Sequence, residues 1–160
     1  MDIAAEICAD LGDDWLPAIY AAKVRPQRTR SVRIDVPARE NAAEIQYTLL
    51  GIELKVGRRR FACPDLATAR YMRVFARIGV PEFAVPYDIT RISAIADELE
   101  TSWQRALIMV GEKSLGRSAR GSAAARSRLV KAMRDHVTAA GAGEAMPTFD
   151  RETRQRKIDQ

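Results

Sequence analysis

The chain is short of the residues on which most hydrolytic and metal chemistry depends. It has one histidine, His136, and two cysteines, Cys8 and Cys63, in 160 residues. A structural zinc site draws on a close-spaced set of Cys and His ligands, and none can be assembled from these three. A serine or cysteine triad would have to recruit His136, and no nucleophile pattern surrounds it. The two cysteines match no redox or metal-ligand spacing. They read as buried free thiols of a reducing cytoplasm. No apolar run approaches the roughly 20 residues that a membrane-spanning helix needs, so no membrane partner is expected. The segment Met1–Glu6 lacks the basic opening of a secretory signal. Gly57 has no neighbouring glycines and makes no phosphate-cradling loop. Any hydrolytic chemistry would have to use carboxylates, a lysine and a hard divalent metal.

What is present is a hydrophobic fraction of 47%, enough to core one domain, and a net charge of +5 that is unevenly spread. Residues 1–14 carry five acids and no base. Lys23, Arg25, Arg28, Arg30 and Arg33 then follow without an acid. Arg58, Arg59 and Arg60 form a triplet, and seven basic residues without an acid lie between Lys113 and Arg134. Basic blocks of this kind fit a polyanion, most often nucleic acid, or else a solvated basic surface. The candidate phosphate contacts are Arg28, Arg30, Arg33, Arg58, Arg59, Arg60, Arg126, Arg128 and Lys131.

Hydrophobic periodicity divides the chain. Residues 2–22 are helical in spacing, interrupted at Gly12 and Pro17. Residues 31–36 alternate as a strand that Pro37 ends. Residues 44–56 are extended, with a break near Leu50-Gly51, and Gly57 turns the chain into a strand at 60–63. Asp65 caps a helix over 66–78 that Gly79 stops. Residues 82–86 form a short apolar strand, and Asp88 or Thr90 caps a long helix. The expected architecture is α/β in the order αβββαβα. Its mixed central sheet is flanked by helices, and the strand–helix–strand unit at 60–86 forms a parallel crossover. A core of residues 1–112 would carry a basic extension, 113–160, consisting of linker, a helix at 123–140 and a disordered tail from 141. The stripe of the helix over 90–110 would bury inside the domain or pair with a second copy. Trp15 and Trp103 read as core residues. Tyr87 either stacks on a base or ends a strand.

One charged pair stands out. Glu53 and Lys55 lie two apart in an apolar run, so both side chains project from one strand face. They are either a solvent-facing pair or a functional one. The run Ile52-Glu53-Leu54-Lys55-Val56-Gly57-Arg58-Arg59-Arg60-Phe61, followed by Leu66–Gly79 and Pro81–Tyr87, resembles the PD-(D/E)XK nuclease superfamily. The likeness is to archaeal-type Holliday junction resolvases and covers residues 44–88 by pattern. The resemblance implies a metal-dependent DNA endonuclease, dimeric through the 90–110 helix. Mg²⁺ or Mn²⁺ would be held by Glu53 and by Asp35 or Glu44, with Glu6 as a further ligand. Glu53 and Lys55 would be the catalytic pair, with Lys55 orienting the attacking water. The family's Pro-Asp before that strand is absent, and Pro64-Asp65 comes after Glu53. The alternative is a non-catalytic module of the same fold that binds nucleic acid or a protein partner.

Overall fold

The computed structural model describes residues 2–142. The expected disordered tail lies, beyond residue 142, outside the described residues. The class is α/β as expected, with α1 (Ile3–Leu11), α2 (Leu16–Ile19, extended by a π turn to Val24), β1 (Thr29–Arg33), β2 (Ala43–Thr48), β3 (Gly51–Val56), β4 (Arg59–Cys63), α3 (Leu66–Ile78), β5 (Glu82–Pro86), α4 (Ile89–Lys113) and α5 (Ala119–Ala140). The caps follow the sequence. Asp65 accepts from the Thr68 N–H at 2.7 Å, and Asp88 from the Thr90 N–H at 3.1 Å. Gly79 stops α3 with φ of 85°, and a Cβ there would lie 2.2 Å from the Arg39 carbonyl oxygen. No other residue type fits that junction. The last α3 carbonyls are taken up by neighbours: Asn41 donates to Ala76 and Arg77, and Arg134 to Ile78.

The single mixed sheet is replaced by two antiparallel ones. β2, β3 and β4 form a meander, and β1 pairs only with β5. There is no parallel crossover, because β4 and β5 belong to different sheets. The physical reason lies in the edge of β5. Residues Phe83, Ala84 and Val85 are fully buried. The Ala84 N–H donates to the Tyr20 hydroxyl at 2.8 Å, and the Tyr71 hydroxyl donates to the Ala84 carbonyl. Two tyrosines thus occupy the backbone groups through which another strand would pair. Phe75 stacks on Phe83 at 4.4 Å between centroids, and Tyr20 meets Phe75 edge-on at 5.4 Å. Such contacts add about 0.5–1.5 kcal/mol each beyond burial.

The boundary expected at residue 112 does not separate core from appendix. α5 begins earlier than its spacing indicated, at Ala119, and buries Ala125, Leu129, Val130, Met133 and Val137 in the common core. Its end is pinned by the N-terminal segment. Tyr20 donates to the Gly141 carbonyl, and Arg25 to the Ala140 carbonyl at 2.8 Å. The Trp15 indole donates to His136 Nδ1 at 2.9 Å. α4 also spends its stripe inside the chain: Ile92, Ile95, Ala96, Leu99, Trp103, Ala106 and Val110 are all buried. That leaves no apolar stripe over 90–110 for a second copy. Against α3 the helix makes ion pairs, Arg70 with Asp97 and Arg77 with Glu100. Burial works against ionising Glu100, but Arg77's hydrogen bond and charge prevail and hold its carboxyl below the usual range. No helix among the described residues is long and apolar enough to cross a membrane.

Candidate nucleic-acid interface

The register of the meander fixes where its charges point. Leu54 and Val56 are buried and face α3, so Glu53 and Lys55 share the opposite, outer face. Across the strands Lys55 stands between Glu44 and Arg60, and Glu53 between Gln46 and Ala62. The pair reading of the sequence is therefore right about the shared face. Arg60 Nη1 lies 3.5 Å from Glu53 Oε2, an oxygen shielded from solvent and without a hydrogen bond. Cations and carboxylates thus alternate across this face, the arrangement of ordinary cross-strand pairs.

The other expected metal ligands are elsewhere. Asp35 follows β1, is largely exposed and pairs with Arg59 at 2.5 Å. Glu6 lies on α1 beside Lys113, at 3.5 Å. Glu44 and Glu53 alone share a face. Among the described residues no group of three or more His, Cys, Asp or Glu side chains could hold a metal ion. Of the carboxylates that the nuclease resemblance nominates, Asp35 and Glu6 do not join Glu53, since they are committed to cations on separate elements, and only Glu44 shares its face.

The basic residues sort differently from their order in sequence. Arg126 is held by Glu40 in two hydrogen bonds of 2.8 and 2.6 Å, and Lys131 by Asp135 at 2.7 Å. These two are neutralised. Arg128 is exposed and, among the described residues, no ion pair or side-chain hydrogen bond engages it; the same is true of Arg117 and Arg120 nearby. Arg28, just before β1, and Arg30 and Arg33 on it are exposed and have no ion pair among the described residues. Arg33 stands opposite Glu82 in register, but Glu82 Oε1 accepts the Ser31 hydroxyl at 2.9 Å. The Asp35–Arg59 pair ties the end of β1 to the β3–β4 turn, where Arg58 is exposed on the tip. The arginines of β1 therefore lead into the Arg58–Arg60 triplet. At the other end, the Arg28 guanidinium lies over the Tyr87 ring, 5.0 Å from its centroid. Both residues stand out in the sequence, but their stacking depends on the antiparallel β1–β5 pairing, which is not local.

No family model matches the chain, and neither a curated protein nor a solved structure was found that resembles it.

Proposed function

We propose that this chain is a non-catalytic nucleic-acid-binding module that holds a phosphate backbone along β1 and the β3–β4 turn. The observation that carries the reading is the group of exposed arginines, Arg28 and Arg30 on one face of the strand, Arg33 on the other and Arg58 at the neighbouring turn, that have no ion pair among the described residues. Several other surface cations are matched, as Lys23 is by Glu98 and Arg105 by Asp14, while Arg117, Arg120 and Arg128 form a second exposed group around the start of α5. Phosphate contacts use guanidinium groups of this kind, and the counterions they release make binding salt-dependent. The metal-dependent endonuclease reading has less support, because Asp35 and Glu6 pair with cations away from Glu53 and leave it one neighbouring carboxylate, Glu44.

The test is a fluorescence anisotropy titration of a labelled oligonucleotide at several salt concentrations. Binding is expected to weaken linearly in log affinity against log salt. Arg30→Ala, Arg33→Ala and Arg58→Ala should each flatten that slope by about 0.7–0.9. Absence of binding at low salt, or an unchanged slope in all three variants, would remove the reading.

A further inference from the structure

We infer that the nucleic acid is single-stranded, with a base stacked on Tyr87 while its backbone follows β1. The inference rests on the proposed function and adds the class of ligand. A two-stranded ribbon can enter the major groove of a duplex only if both strands are free to project. Here they are not. β5 is buried from Phe83 to Pro86, its far edge is filled by the Tyr20 and Tyr71 hydroxyls, and only β1 meets solvent. The basic surface is accordingly one strand wide.

The hydrogen-bond parity of the ribbon shows which groups this strand presents. The Tyr87 N–H donates to the Arg28 carbonyl at 3.1 Å, so residues 28, 30 and 32 turn their backbone groups toward β5. Those of Ser31 and Arg33 face outward. No backbone partner meets them among the described residues. A strand edge with open amides at Ser31 and Arg33, beside the Arg28 and Arg30 guanidinium groups, suits a flexible phosphate chain better than a rigid double helix.

The second, independent feature is Tyr87. Its side chain is half exposed, at 49%, directly after the buried Pro86. The ring cannot withdraw into the core without unseating β5. With the Arg28 guanidinium over it, the ring forms a flat aromatic and cationic platform at the end of the basic run. Stacking on such a platform requires an unpaired base, and it tolerates any sequence because every base has a π face. Paired bases inside a duplex offer no face to it.

The deciding experiment compares wild type, Tyr87→Ala and Tyr87→Phe. The probes are a DNA oligonucleotide of about 20 nucleotides, its RNA counterpart, the corresponding DNA duplex and a poly-glutamate of matched charge. Wild type should bind the single strands more tightly than the duplex. Tyr87→Ala should weaken single-strand binding by roughly 5- to 100-fold while leaving duplex binding unchanged, and Tyr87→Phe should restore it. DNA and RNA strands that respond alike would fit stacking alone. Equal wild-type affinity for single strand and duplex would overturn the inference, as would a Tyr87→Ala loss that is equal for both. In either case the salt-dependent arginine contacts would stand. Equal affinity for poly-glutamate would overturn both readings.

Discussion

The two sheets handle arginine in opposite ways. In the meander every strand has one face on α3, and the outer face mixes Glu44, Glu53, Lys55 and Arg60. In the β1–β5 ribbon one strand is interior from Phe83 to Pro86, with one exposed carboxylate at Glu82, and the other carries cations without acids. A small sheet with a solvated face can neutralise its own charges across strands. A ribbon whose second strand is buried beyond its first residue has room for one carboxylate, Glu82, and that one accepts the Ser31 hydroxyl. The difference shows why a motif that looks catalytic in sequence, Glu53 with Lys55, is the less informative one. The unremarkable stretch Arg28–Arg33 is the one left with unmatched charge.

The largest expected effect separates the sheets by their anchorage. Phe83→Ala should destabilise the protein by about 3–5 kcal/mol, as for a fully buried aromatic. Phe61→Ala, on a half-buried ring of the meander, should cost clearly less. Chemical denaturation of both variants would check this, and equal losses would mean that the ribbon is no more central than the meander.

The second effect concerns the sealed edge. Tyr71→Phe leaves the Ala84 carbonyl without its donor, a cost of about 1–3 kcal/mol. Burial, with a smaller effect from Tyr20, pushes the Tyr71 hydroxyl well above its ordinary pKa. A group raised in the folded state contributes stability that is intact below its unfolded value of about 10. That stability is lost as pH rises from there toward the folded value. Wild type should therefore lose stability above about pH 10, and Tyr71→Phe should lose less over the same range in alkaline denaturation. Parallel curves would show that the ribbon edge does not depend on this hydroxyl.

The third contrast is between matched and unmatched cations. Arg30→Ala should weaken oligonucleotide binding several-fold while leaving stability within about 0.5 kcal/mol. Arg60→Ala, whose cation is paired with Glu53 on the meander, should change affinity less than twofold. The reverse order would return attention to the meander.

The smallest expected effect is on Glu53 itself. Glu53→Ala and Lys55→Ala should each shift stability by about 0–1 kcal/mol, as for weakly coupled cross-strand charges. Neither should abolish any cleavage of branched or linear DNA measured with Mg²⁺ or Mn²⁺. Metal-dependent cleavage that vanishes in both variants while binding persists would reinstate the endonuclease and break the comparison.

Much of this fold is legible in the sequence because it is local. Asp65 and Asp88 as caps, Gly57 and Gly79 as turns, and the stripes of α3 and α4 depend on neighbours within a few residues. The break at Leu50-Gly51 that divides β2 from β3 is legible for the same reason. Which strands pair is not local. β5 follows β4 after one helix, and only the filling of its far edge by Tyr20 and Tyr71 explains why it joins β1. The free arginines were hidden likewise: Lys131 and Asp135 are four apart and visibly a pair, whereas Arg126 finds Glu40 across 86 residues.

The Tyr20 hydroxyl has a consequence for how the molecule is made. It holds Ala84 on one side and Gly141, 121 residues further along the chain, on the other. At roughly 5–20 residues per second of synthesis, the second partner reaches it on the order of ten seconds after Tyr20 itself emerges. Throughout that interval the aromatic centre stays open beneath the site that α5 will cover. The nascent protein therefore remains unfinished until almost its last described residue is delivered, and a chain cut short before α5 would leave the ribosome with its core uncovered.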